Sequence, residues 1–98
     1  MGAFKEIING DTPVLVDFHA TWCGPCHTMS PVIDELKNHF GNQLRVLKVD
    51  VDKNVATSTK YKVRGVPTFL LFKHGEIVWR SSGVLPKNEL QKIIQDHL

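Results

Sequence analysis

Both cysteines of the chain lie in one pentapeptide, Trp22-Cys23-Gly24-Pro25-Cys26. It follows an apolar run, Val14-Leu15-Val16-Asp17-Phe18, and precedes a helical pattern, which places it at a strand-to-helix turn. At i and i+3 of a first helical turn, two sulfurs share a face and can bond to each other. A thiol at a helix start also meets unpaired N–H groups and the positive end of the dipole. Both favour the thiolate and point to Cys23 as the nucleophile. Cys23 is expected to be exposed at the helix start, with Cys26 a turn deeper. Pro25 suits a first turn, where its missing N–H costs nothing, and Gly24 leaves room for a partner sulfur to approach. Such a pair serves reversible dithiol–disulfide exchange.

Two other readings compete for the pair. Half of a zinc site would need two more ligands, and the chain has no second cysteine pair. His19 and His27 are near in sequence, but His27 adjoins Cys26 and is awkward as a third ligand. A purely structural bridge would close a loop so short that little unfolded-state entropy is removed.

The elements that must hold this turn can be read from the pattern. Phe4, Ile7 and Ile8 recur at helical spacing, so residues 2–9 form a short helix stopped by Asn9-Gly10-Asp11. Residues 13–18 are a strand apolar on both faces, as a central parallel strand should be, with Asp17 the exception. From Gly24 or Pro25 to about His39, Met29, Val32, Ile33, Leu36 and Phe40 fall on one helical face, ended by Gly41. Pro31 lies inside this helix and should kink it. Leu44 to Val51 form a second strand, reached by a right-handed parallel crossover. Asp52 or Asn54 can cap a short helix running to about Lys60. Thr68 to Phe72 and Glu76 to Ser81 form a hairpin about His74-Gly75, with Trp79 on the face of Ile77. Pro86 opens a last helix with Leu90, Ile93, Ile94 and Leu98 as its apolar stripe. The expected architecture is α/β: a four-stranded mixed sheet flanked by four helices. Its strand order runs 44–51, 13–18, 68–72, 76–81.

Trp-Cys-Gly-Pro-Cys after an apolar strand carrying an acid resembles the active site of thioredoxins, and the likeness covers nearly the whole chain. It implies the thioredoxin fold, here without the usual N-terminal strand, and a protein disulfide reductase working through a redox-active Cys23–Cys26 disulfide. The family's buried acid, the proton acceptor for the second cysteine, matches Asp17. Burial disfavours the charged carboxylate, so the Asp17 pKa should rise. Lys48 matches a lysine near that acid, and a buried pair of this kind would titrate as one unit; alternatively Lys48 reaches solvent. Val66-Pro67 matches the family's cis-proline opposite the disulfide, and Gly65, Gly83 and Val84 match the rest of the substrate groove. Trp22 reads as a semi-exposed lid. The resemblance further implies disulfide-containing protein substrates and a flavin- and NADPH-dependent thioredoxin reductase as partners, a monomer, and no cofactor bound by the chain itself.

Two positions depart from the family pattern. His19 stands where thioredoxins usually have Trp, and His27 where Lys or Arg usually follows the second cysteine. Either is a solvated surface histidine, or its protonation near Cys23 stabilises the thiolate. His39, His74 and His97 read as surface residues. Gly24-Pro25 between the cysteines weighs against a disulfide oxidant or isomerase, whose relatives often carry a His there. The intact pair weighs against a non-catalytic binding subunit.

Composition agrees with a single domain spanning residues 1–98. Hydrophobic residues make up 42% and charged ones 22%, with net charge +2 and no basic run, so nucleic acid is not implied. No apolar run approaches the ~20 residues of a membrane span. Met1 to Glu6 contain no signal-peptide h-region, and two cysteines suit a reducing, cytoplasmic setting.

Overall fold

A computed structural model describes residues 2–98. In chain order it contains α1 (Gly2–Ile8), β1 (Val14–His19), α2 (Gly24–Phe40), a 3-10 turn (Gly41–Gln43) and β2 (Arg45–Asp50). Then follow α3 (Val55–Lys60), β3 (Thr68–Lys73), β4 (Glu76–Ser82) and α4 (Lys87–Asp96). The sheet order is β2-β1-β3-β4, with β1 parallel to β2 and the two remaining pairings antiparallel. This is the expected four-stranded mixed sheet with four helices.

β1 sits inside because its residues leave no face for water. Side chains alternate across a strand, so Leu15 and Asp17 point one way and Val14, Val16 and Phe18 the other. Leu15 joins Phe69 and Leu71 of β3 beneath Met29, Ile33, Leu36 and Phe40 of α2 and Leu90 and Ile94 of α4. On the opposite face Val14, Val16 and Phe18 pack with Ile8, Leu70 and Phe72. Edge-on rings close that side: the Phe4 and Tyr61 centroids lie 6.1 and 5.4 Å from that of Phe72. Each such side chain contributes about 1.5–3 kcal/mol by leaving water. The two cores clamp β1, and the C-terminal end of β1 is where the cysteine turn begins.

Three details depart from the sequence reading. Ile77 pairs with Phe72 but Trp79 with Leu71, because a register shift intervenes. A bulge of this kind adds a residue to one strand and breaks the two-residue alternation. Ile77 and Trp79 therefore lie on opposite faces, Trp79 packing against the α2–α4 core while Ile77 stays exposed. Leu98 lies past the end of α4 and is exposed rather than part of its stripe. Asn54 occupies the N-cap position of α3, but its side chain donates to the Asp50 carbonyl at 3.0 Å instead of capping. Gly41 caps α2 as expected, its N–H donating to the Lys37 carbonyl, and opens a 3-10 turn. The helix itself runs through Pro31, whose missing N–H leaves the His27 carbonyl without its i+4 donor.

His74-Gly75 joins β3 and β4 with both residues at positive φ, 51° and 82°. That pattern matches the right-handed twist of a hairpin. The Gly75 N–H donates to the Ile8 carbonyl at 2.8 Å, and a Cβ there would run into the Asn9 side-chain amide. Gly75→Ala is expected to destabilise the fold by about 1–2 kcal/mol, the cost of a left-handed L-residue. Urea unfolding against the parent measures it.

Candidate active site

The turn after β1 is built by short-range bonds. The Cys23 N–H donates to the Ala20 carbonyl at 3.2 Å, and the Cys23 carbonyl accepts from His27 N–H at 3.3 Å. Cys23 is the N-cap of α2, with extended backbone (φ −91°, ψ 110°), and its Sγ accepts the Cys26 N–H at 3.1 Å. A sulfur thus does the work usually given to a capping oxygen, satisfying one of the orphan donors of the helix start. Pro25 occupies the first turn, where no partner for its nitrogen is required. A Cβ on Gly24 would meet nothing within 4 Å, so the approach beside Cys23 is open.

Cys23 and Cys26 are joined in a disulfide with Cα atoms 5.3 Å apart. Their exposures are 4% and 9%, which corrects the expectation of an exposed Cys23 above a deeper Cys26. Ala20, Val51 and Val66 pack around the pair, so residue burial does not separate the two cysteines. Their polar surroundings do. Cys23 Sγ faces the helix N–H, whereas Cys26 lines a cavity of about 210 Å³ together with Asp17, His19, Thr21, His27, Ser30 and Lys48.

Asp17 is 6% exposed. Burial pushes its carboxyl above the ordinary carboxylate range; the neighbouring His19 and Lys48 pull it back in part, and Asp34 opposes them. The buried Lys48–Asp17 pair does not form. Lys48 lies across from Asp17 in the β1–β2 register, but its Nζ reaches outward to Asp34 Oδ1 at 3.0 Å, with 41% of the side chain exposed. A long stem makes the solvent-side pairing possible, and an ammonium keeps its hydration there. His27 also turns to the surface, its Nε2–H donating to the Thr21 carbonyl at 3.0 Å. Both histidines flanking the turn line the cavity of Cys26.

On the other side of the disulfide runs the segment before β3. The Val66-Pro67 peptide is cis, and Val66 packs on the cysteine pair. The Thr68 hydroxyl donates to the Gly65 carbonyl at 2.7 Å, and Gly83 N–H donates to the Pro67 carbonyl at 2.9 Å. Gly83 has φ 92°, a conformation open to glycine and strained for other residues. These bonds draw Gly65, Val66, Pro67 and Gly83 into one ledge, with Val84 exposed beside Gly83. A smaller cavity of about 130 Å³ lies between Trp22, Val51, Val63 and residues 64–66. Trp22 is 70% exposed, its indole N–H held by Asp52 Oδ2 at 2.8 Å.

Several of these residues carry no signal in the sequence. Asp52 reads as a helix cap and instead orients Trp22. Arg80 looks like an ordinary edge-strand cation, yet its guanidinium donates to the Tyr61 and Lys62 carbonyls at 2.6 and 2.8 Å. It thereby pins the segment leading to Val66. Among the described residues, no group of three or more His, Cys, Asp or Glu gathers as a metal site would. Nor is any helix among them long and apolar enough to cross a membrane.

A disulfide across the first turn of a helix, at the C-terminal end of a central strand and facing a cis-proline, is the site of a thiol–disulfide oxidoreductase. The thioredoxin family model matches residues 1–96. Thioredoxin of Haemophilus influenzae is 44% identical over 92 residues, covering 94% of this chain and 86% of its own. Thioredoxin of Bacillus subtilis is 47% identical over 85 residues, 87% of this chain and 82% of its own. A solved structure of a mutant thioredoxin from Halobacterium salinarum superposes with TM-score 0.89 at 36% identity, covering 98% of this chain and 83% of that one. The chain belongs to the thioredoxin family, whose members are thiol–disulfide oxidoreductases.

Proposed function

We propose that the protein reduces disulfides in other proteins, with Cys23 as attacking and Cys26 as resolving thiol. The observation that carries these roles is the unequal setting of two cysteines that are both buried. Cys23 Sγ accepts a helix N–H, which stabilises a thiolate, and Cys26 shares its cavity with a buried acid. Cys23 thiolate attacks one sulfur of the substrate disulfide, and the other sulfur leaves as a thiolate. Cys26 then gives its proton to the Asp17 carboxylate and attacks Cys23 Sγ. The Cys23–Cys26 bond forms, the mixed disulfide breaks, and the second substrate sulfur departs. Two electrons have moved from the protein to the substrate.

The substrate segment lies extended along Gly65, Val66, Pro67, Gly83 and Val84, where a partner backbone can pair with the Val66 peptide groups. Trp22 flanks this ledge. Gly24 and Pro25 keep the approach to Cys23 open, while Lys48, His19 and His27 tune the charge around Asp17 and Cys26. The protein works as a cytoplasmic monomer without a cofactor of its own, and a flavin- and NADPH-dependent thioredoxin reductase restores the dithiol. Neither nucleic acid nor membrane enters the cycle.

Equilibration of the Cys23/Cys26 couple in a thiol redox buffer tests this reading. A strongly reducing potential, with NADPH-driven reduction of a protein disulfide in the presence of a thioredoxin reductase, is the expected result. A mildly oxidising potential would make the protein a disulfide donor instead.

A further inference from the structure

We propose that His19 relays to solvent the proton that Asp17 takes from Cys26, through the cavity the three residues share. This rests on the exchange reaction above and deepens it. Asp17 and His19 are two apart on β1, so both face the side covered by α2, and both line the 210 Å³ cavity with Cys26. The wall of that space is largely apolar, but the Asp17 carboxyl, the His19 ring and the Ser30 hydroxyl stand on it, and its volume has room for bridging waters between them. Asp17 at 6% exposure has little direct access to bulk water, yet it must shed one proton in every cycle.

The other groups facing Asp17 are unsuited to the task. On β2, Lys48 is an ammonium held by Asp34 at 3.0 Å, and an ammonium accepts no proton. On α2, Asp34 is engaged by that same lysine, and His27, turned to the surface with its Nε2–H on the Thr21 carbonyl, is not among the charges that act on Asp17. Ser30 offers a hydroxyl, which conducts a proton but does not hold one. Across β1 on the β3 side, the register partner of Asp17 is Phe69. His19 is half-buried at the strand end, and no hydrogen bond among the described residues engages its ring. An imidazole is the side chain that ordinarily gains and loses a proton between pH 5 and 8. Its charge also acts directly on Asp17, drawing the carboxyl down against the effect of burial.

The relay moves one proton and no electrons. The Cys26 S–H bond breaks and the Asp17 carboxylate is protonated; the carboxyl then passes its proton by water to the neutral His19 ring, and the imidazolium releases it to bulk. The sulfur chemistry proceeds as described above.

The test mixes reduced protein with excess aromatic disulfide whose thiolate absorbs. A first phase reports attack by Cys23 and a second reports resolution by Cys26. At pH 8, His19→Ala is expected to slow the second phase about tenfold, below the full range for general acid–base catalysis, and to leave the first unchanged. His19→Gln, which keeps a polar side chain of similar size, should behave alike. Added imidazole should restore the second phase of His19→Ala in proportion to its free base, but do nothing when Asp17→Asn is also present. A second phase unaltered in both variants overturns the relay, as does a slow phase that imidazole leaves slow. If the parent itself shows no second phase, the exchange reading falls and the relay with it.

Discussion

Cys26→Ser is expected to accumulate covalent adducts with its substrates, whereas Cys23→Ser forms almost none. The difference does not come from exposure, since the two cysteines are 4% and 9% exposed in the disulfide. It comes from the hydrogen bond that Cys23 Sγ receives from the Cys26 N–H at 3.1 Å. That bond survives replacement of the Cys26 side chain, because its donor is backbone. Cys23 in the Cys26→Ser protein therefore keeps its stabilised thiolate and still attacks, but no thiol remains to release the product. Both variants should lose reductase turnover on the order of 10³-fold or more, as loss of a nucleophile usually brings. Mass spectrometry after incubation with a disulfide-bonded protein separates them. Equal adduct yields would remove the distinction between the thiols, and adducts on Cys23→Ser alone would reverse it.

The centre of this fold was legible because β1 and α2 are written in strong patterns. An apolar run interrupted only by Asp17 reads as a central strand, and Met29, Ile33, Leu36 and Phe40 keep a 3.6-residue period. Strand alternation alone puts Asp17 and His19 on one face, since both follow Leu15 at steps of two. What escaped was whatever depends on a side chain choosing between partners. Lys48 had Asp17 beside it in register and Asp34 across the helix face, and solvation of its ammonium decided for Asp34. Asp52 had the start of α3 and the Trp22 indole within reach, and the indole won. The shift that separates Ile77 from Trp79 leaves no mark in a run such as Ile77-Val78-Trp79, where every residue is apolar.

The same choice bears on how the site is charged. Because Lys48 pairs with Asp34 at the surface, a contact worth ~0–1 kcal/mol, its charge offsets the burial of Asp17 only in part. His19 acts on it in the same direction, and Asp34 against both. Asp17 is thus left dominated by burial, and that makes a demand on both rate and stability.

Asp17→Asn is expected to slow resolution of the mixed disulfide about 10²-fold while leaving the initial attack by Cys23 nearly unchanged. An amide fills the same space but cannot accept the proton of Cys26, and general-base assistance contributes at least this much. The two phases of the aromatic-disulfide reaction read the two steps separately. The stability of the oxidised protein should move in the opposite direction. Burial raises the folded pKa of Asp17 above its unfolded value, so the folded state binds that proton more tightly. The resulting contribution is fully present below the unfolded pKa and is lost as pH rises through the folded pKa. Well above the unfolded pKa the parent bears the cost of that burial, which His19 and Lys48 offset only in part, and replacing the acid by a neutral amide should stabilise the fold. A gain of about 1–3 kcal/mol is expected, the range for a poorly compensated buried polar group. Near pH 3 Asp17 is protonated in both states, acid and amide are alike, and the advantage should vanish. Urea unfolding of both oxidised proteins at the two pH values measures it. A mutant less stable than the parent at pH 7 but equal at pH 3 would mean a depressed pKa, and a carboxylate held ionised in that way is a poor acceptor for the proton of Cys26.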